Sequence, residues 1–199
     1  MHPNESELIY DWNRAEGTEL RPARGCVELD DETLRDGLQS PSVRNPSIEE
    51  KLKILHMMED LGIESANIGL PGAGPHVVRD VERLAREIVE QKMKIFPNCA
   101  ARTVIADVRP IAEISQRTGI AIEASCFIGS SPIRQYAEGW TLDRMLKLTR
   151  EAVEFAVQEG LPVMFVTEVF SRGVRITSCC WNRSHHCLHS VVRARCAFT

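Results

Sequence analysis

From Val169 to Thr199 there is not one Asp or Glu, so all 28 acidic residues of this 199-residue chain fall in the first 168. Other shortages run through the whole sequence. No apolar run approaches the ~20 residues that a membrane-spanning helix needs. The formal net charge of −4 leaves no basic footprint for nucleic acid. Residues 1–25 carry Glu5, Glu7, Asp11, Glu16 and Glu19 without an apolar core, so they do not form a secretory signal. They are expected to form an N-terminal arm or cap, and the expected compartment is the cytoplasm. The first strand-to-helix loop has neither G-x-G-x-x-G nor a P-loop, which removes support for dinucleotide or nucleoside triphosphate binding.

The seven cysteines do not form a secreted disulfide framework. Cys26, Cys99 and Cys126 are scattered through strand-like segments, where a reduced thiol acts as a small hydrophobe. Cys179, Cys180, Cys187 and Cys196 crowd the tail, with five arginines and three histidines. The tail's apolar residues follow neither a strand nor a helix period. A sudden loss of one residue class is what a shifted reading frame produces, and residues 169–199 are expected to be an aberrant, irregular segment of that kind. A genuine variant C-terminus and a basic disordered tail are the alternatives. His185, His186, Cys187 and His189 imitate a zinc site, but their spacing fits no standard finger.

Between Cys26 and Glu168 strands and helices alternate. Cys26–Asp30 is a short strand candidate. Ser47 and Glu50 form a capping-box pattern, and Ile48, Leu52, Leu55, Met58 and Leu61 then recur at helical spacing up to Gly62. The phrase repeats: a strand at 64–69, a Gly/Pro loop, and a helix face of Val77, Val78, Val81, Leu84, Ala85 and Ile88. Lys94–Asn98 leads into a third strand and Asp107–Arg117 into a third helix. Ile120–Ile128 is the clearest strand. A loop over 130–139, a long helix over 142–159 and a strand over 162–166 complete the run. This pattern predicts a parallel sheet covered by helices, either doubly wound or a (β/α)8 barrel. A complete barrel takes ~250 residues, and the pattern yields about five strands and four helices, roughly three βα units short.

The stretch that points to chemistry is Asp30-Asp-Glu-Thr-Leu-Arg-Asp-Gly-Leu-Gln39, between the first strand and the first helix. In a barrel that junction lies on the catalytic C-terminal face. A plain turn explains the same residues: Asp31 and Thr33 shape it, Gly37 supplies a positive φ, and Arg35 pairs with Glu32 or Asp36.

The run Asp31-x-Thr-Leu-Arg-Asp-Gly-x-Gln39 resembles the signature opening of the DRE-TIM metallolyase superfamily, which includes 2-isopropylmalate, homocitrate and citramalate synthases and hydroxymethylglutaryl-CoA lyase. Further matches are Ile68-Gly-Leu-Pro71, Phe127-Ile-Gly-Ser-Ser-Pro-Ile133 and Phe165-Val-Thr-Glu168, with Arg172 at the usual distance beyond. There are departures. Asn67 replaces the acidic residue usual there, Ser125 and Arg134 stand where synthases commonly have His, and Val169 replaces an Asp. The resemblance covers about residues 26–168.

The resemblance implies an α/β fold, the first part of a TIM (β/α)8 barrel, and carbon–carbon bond chemistry beside an acyl-CoA carbonyl. It implies a divalent metal (Mg, Mn, Co or Zn) that binds the 2-oxo acid as Lewis acid and template. Asp36 would be a metal ligand. Arg35 would face the developing oxyanion, with Glu168 as a second catalytic residue. Gln39, Arg102, Ser125 and Thr167 would bind substrate. Acetyl-CoA and a 2-oxo acid would be the small-molecule partners, and a homodimer the assembly. The family's remaining metal ligands are an H-x-H pair on strand seven, and this chain has no H-x-H: His2, His56 and His76 are isolated. The chain as it stands is therefore expected to be an incomplete, inactive fragment of a synthase. A lyase running the reverse chemistry, which Leu38 before Gln39 favours, and a non-catalytic remnant that binds a full-length paralogue are the alternatives.

Overall fold

The computed structural model describes residues 28–130 and 132–168. Residues 1–27 and 169–199 lie outside it, and with them the arm, the tail and Arg172.

Five strands form one parallel sheet in sequential order: β1 (Asp30–Asp31), β2 (Ser65–Asn67), β3 (Phe96–Arg102), β4 (Glu123–Gly129) and β5 (Val163–Glu168). Between them run α1 (Ile48–Leu61), α2 (Pro75–Glu90), α3 (Ile105–Thr118), α4 (Pro132–Glu138) and α5 (Leu142–Gln158). Unbroken sequential order with helical crossovers is how a (β/α)8 barrel begins; a doubly wound sheet reverses its strand order at a switch point. The described residues are thus an α/β arc, five strands of a barrel.

Local sequence sets the helices. Ser47 Oγ accepts from the Glu50 N–H at 3.3 Å while Glu50 Oε2 accepts from the Ser47 N–H at 2.7 Å, the reciprocal bonds of the capping box. The Ser47 N–H thereby holds the Glu50 carboxyl below its ordinary range. From α1, Leu55 and Met58 point inward, and α2 buries Val81, Leu84, Ala85 and Ile88. Helix–sheet packing makes one continuous core: Ala66, Ile68, Cys99, Ala101, Ala124, Cys126 and Val163 meet those helical residues and Val108, Ile111 and Ile114. Burial pushes the Cys126 thiol up to about 12, and Cys99 is raised further, so both are inert fillers.

Side chains alternate along a strand, so the opposite sheet face carries Asp30, Ser65, Asn67, Asn98, Glu123 and Ser125. Barrel interiors are ordinarily filled by branched apolar residues; here a buried amide takes that place. Asn98 Nδ2 donates to Asp30 Oδ1 at 2.8 Å and to Ser65 Oγ at 3.2 Å, and Asn98 Oδ1 accepts from Ser125 Oγ at 3.0 Å. One side chain on β3 thus ties β1, β2 and β4 together, and it is fully buried.

Two expectations need correction. The first strand, placed at Cys26–Asp30, pairs at Asp30–Asp31, with Cys26 outside the described residues; its ladder is short because β2 offers only three residues. The expected loop at 130–139 contains the helix α4, whose residues from Arg134 on are mostly exposed. Its described side chains, from Arg134 on, follow no apolar period that the sequence could show.

Replacing Asn98 with Ala removes three hydrogen bonds and strips the buried Ser125 hydroxyl of its bond to Asn98, while Ser65 keeps its bond to the Phe96 carbonyl and Asp30 is exposed. Urea denaturation is expected to show a loss of about 2–4 kcal/mol, against about 1 kcal/mol for Ser47→Ala at the α1 cap.

Candidate active site

The C-terminal ends of the five strands share one side of the sheet. Glu32–Gln39 follows β1 there. Asp31 Oδ1 accepts from the Thr33 N–H at 2.8 Å, and the Gln39 N–H bonds the Asp36 carbonyl at 2.9 Å, folding residues 37–39 into a 3-10 turn. Gly37, expected at positive φ, does not adopt it, because a right-handed turn has no need of it.

This turn places Arg35 between two carboxylates. Its Nη1 donates to Asp36 Oδ1 at 3.0 Å, and its Nη2 lies 2.8 Å from Glu32 Oε2. Arg35 is mostly buried and Asp36 exposed; Glu32 is half-buried, and its Oε1 accepts from Asn67 Nδ2 at 3.2 Å. The Glu32–Arg35 approach is close but poorly aligned. Glu32 Oε2 and Arg35 Nε are both buried without a hydrogen-bond partner among the described residues. Orphaned polar atoms in a native fold require an explanation, and a missing ligand is one. Burial pushes the Glu32 carboxyl above its ordinary range, against the pull of the Arg35 charge and the Asn67 hydrogen bond.

Arg35 and Gln39 also line a cleft of about 370 Å³ that opens between this loop and α2. Leu34, Leu38 and Val77 give it an apolar wall, and Lys51 pairs with Asp80 across it at 2.8 Å. Asp36 is not part of that lining.

Arg102 ends β3, and Asp107 in the first turn of α3 holds it by two parallel bonds: Nε to Oδ2 at 2.7 Å and Nη2 to Oδ1 at 2.8 Å. The hydrogen bonds that Arg102 donates to Asp107 raise its guanidinium above its usual range. A Cβ on Gly72 would stand 2.5 Å from the Asp107 carboxyl carbon, so Gly72 leaves room for the pair. Ser125 lies deeper, its hydroxyl committed to Asn98. Thr167 and Glu168 close β5, with Thr167 opposite Ile128 and Glu168 opposite Gly129. The exposed His56 bonds Glu87 at 2.8 Å and ties α1 to α2, away from the strand ends. Sequence reasoning missed Asp107 and Asn98. Asp107 had no signal beyond its place five residues after Arg102; Asn98 had one, a lone amide inside an apolar strand.

The sequential sheet and the Arg35–Asp36 pair at its C-terminal side now stand beside known proteins. The HMGL-like family model matches residues 26–175. The chain belongs to the HMGL-like family. Among its relatives, homocitrate synthase AksA of Methanosarcina mazei is 33% identical over 147 residues, 73% of this chain and 34% of that protein. A 2-isopropylmalate synthase of Streptococcus gallolyticus is 33% identical over 73% of this chain and 27% of its own length. The chain thus spans about a third of the relatives it matches. A crystal structure titled HMG-CoA lyase, from Bacillus subtilis, superposes with a TM-score of 0.55 at 19% identity, over 74% of this chain and 48% of that one, and shows the shared fold. No helix among the described residues is long and apolar enough to cross a membrane.

Family members depend on a divalent metal, and Asp36 is a carboxylate suited to one. The described residues do not assemble a metal site: no group of three or more His, Cys, Asp or Glu among them could hold an ion, and Asp36 is engaged by Arg35.

Two measurements follow from this geometry. Because the folded state raises the Glu32 pKa, the stabilising contribution is present at low pH and is lost as pH rises through the folded pKa. Wild type is therefore expected to lose stability relative to Glu32→Gln as pH rises out of the ordinary carboxylate range; denaturant titrations at a series of pH values would show parallel curves if Glu32 were unperturbed. Arg102→Met strands a buried carboxylate and is expected to cost about 2–3 kcal/mol by the same method.

Proposed function

We propose that this chain forms the β1–β5 part of a synthase site that joins acetyl-CoA to a 2-oxo acid. Arg35 carries this reading: a mostly buried guanidinium at the C-terminal end of β1, with an unused Nε donor and Asp36 beside it. A fixed cation there binds and orients the keto-acid oxygens and stabilises the charge that grows on them. Synthases among the relatives support condensation over cleavage.

In this reading Gln39 orients the acid from the turn, and Arg102, held rigid by Asp107, offers a second cation on β3. Ser125 supports the floor through Asn98, and Thr167 and Glu168 border the site at the end of β5, with Glu168 the second catalytic group. A bound divalent metal would supply Lewis acidity. Asp36 is the one carboxylate proposed for it, and alone it does not fit such an ion. The chain's own residues therefore bind and position the 2-oxo acid without completing the reaction.

The test is binding of a 2-oxo acid by the full chain, followed by NMR, with thiol release from acetyl-CoA measured in parallel. Binding weakened by tenfold or more in Arg35→Gln is expected, on the order of what one charged hydrogen bond supplies, with no thiol release. No binding by a folded chain sinks the synthase reading and favours the remnant. Cleavage of a hydroxyacyl-CoA would select the lyase.

A further inference from the structure

A guanidinium offers its Nε and Nη2 hydrogens side by side, as one edge that a carboxylate grips with both oxygens. Arg102 shows that edge in full use: Nε donates to Asp107 Oδ2 at 2.7 Å and Nη2 to Oδ1 at 2.8 Å. On Arg35 the same edge is half taken. Glu32 Oε2 lies 2.8 Å from Nη2 without the alignment of a hydrogen bond, and Nε has no partner among the described residues. The reason lies on β2. Asn67 Nδ2 donates to the other Glu32 oxygen, Oε1, at 3.2 Å. Asn67 is fully buried, and its own Oδ1 accepts from the Gly69 N–H at 3.3 Å. That bond turns the amide NH2 toward Glu32, so one carboxylate oxygen is held back and the second alone reaches Arg35. Asp36 occupies Nη1 at 3.0 Å and leaves the Nε–Nη2 edge alone. The Glu32 side chain is 32% exposed against 19% for Arg35, so Glu32 forms the outer part of the pair. Burial raises its carboxyl despite the Arg35 charge, so the contact repays little of what burying the carboxylate costs.

We propose that Glu32 is a resident competitor for the Nε–Nη2 edge of Arg35, tethered by Asn67 so that an incoming 2-oxo acid displaces it. Glu32 and Asn67 are then positioning residues that set how tightly Arg35 takes an anion. Two oxygens of the acid take the edge as Asp107 takes that of Arg102, and the partnerless Nε hydrogen gains its acceptor. Nε is buried, so a ligand reaches the edge once Glu32, the more exposed of the pair, has moved off it. Glu32 keeps its bond to Asn67 and turns Oε2 outward, where water replaces Arg35. In the empty site the same carboxylate spares Arg35 an uncompensated buried charge. Without the tether Glu32 is free to close both oxygens on the edge, as Asp107 does on Arg102. The contrast between the two arginines marks which one is built to open.

This inference rests on the 2-oxo acid reading, and its test separates the two. The full chain is titrated with pyruvate and followed by NMR, the Arg35 Nε–H resonance being assigned by its loss in Arg35→Gln. Glu32→Gln keeps an oxygen for Asn67 and removes the competing charge; it is expected to bind pyruvate at least about fivefold more tightly than wild type. Asn67→Ala frees Glu32 to close on Arg35; it is expected to weaken binding by about fivefold, and to change little when Glu32 is already Gln. The Arg35 Nε–H signal is expected to shift when pyruvate is added to wild type. Unchanged or weaker binding in Glu32→Gln, with wild type binding pyruvate, overturns the competition and leaves the Arg35 reading standing. So does an Asn67→Ala loss of equal size in both backgrounds, which is the mark of a structural role, or an Nε–H signal that bound pyruvate does not move. Failure of wild type and Glu32→Gln alike to bind, each of them folded, overturns both.

Discussion

A single buried amide sets the interior of this half of the barrel. Asn98 spends both of its donors and its acceptor on Asp30, Ser65 and Ser125, one partner from each of three other strands. Asp30 is exposed, but Asn98, Ser65 and Ser125 are buried, and an unpaired buried polar group costs about 1–3 kcal/mol. Bonded together they satisfy one another, and the network cross-links β1 to β4 independently of the backbone ladder. β1 contributes just two residues to its ladder, so this lateral bond matters most where the Arg35 loop begins. A slip of one residue in any of these strands would turn its polar partner toward the helices.

Above that floor the chain repeats one electrostatic device. Arg35 is set between Glu32 and Asp36, and Arg102 is clamped by Asp107. The two differ in how completely they are satisfied. Arg102 makes a parallel pair of bonds with a buried carboxylate that Gly72 makes room for, which fixes the guanidinium plane. Arg35 touches Glu32 out of line and keeps a buried N–H unused. A half-satisfied cation is poor for stability and well suited to capturing an anion. Asn67 modulates this balance: as a neutral amide it donates to Glu32 and offers no competing charge to Arg35.

What could be read from the sequence was what repeats. The Ser47–Glu50 box and the Ile48-to-Leu61 spacing locate α1 within one residue, because capping and helical period are local properties. The motif from Asp31 to Gln39 resembled a known signature closely enough to place Arg35 and Asp36 at a strand end. Residues whose role depends on a partner far along the chain stayed silent. Nothing near Asn98 names Asp30, which lies 68 residues away, and nothing in Arg134 shows that its side chain lies over Gly129. The helix α4 escaped for a related reason: it is seven residues long, too short for an apolar period to be detected.

Two faces of one sheet thus carry separate requirements. The helix-facing residues Ala66, Cys99, Ala101, Ala124 and Cys126 are small, which lets α1, α2, α3 and α5 pack closely on the arc. The other face is free to vary its polar groups so long as each finds a partner. Period-two alternation separates the two, so a change such as Asn67 or Ser125 on the inner face leaves the core volume untouched. That separation explains how a chain can keep the family's fold at 33% identity while altering the residues at its strand ends. It also means that the fold, taken alone, says nothing about which anions the strand ends accept. What the strand ends do show is a difference between two cations: Arg102 is fully engaged by Asp107, whereas Arg35 keeps a buried N–H unused.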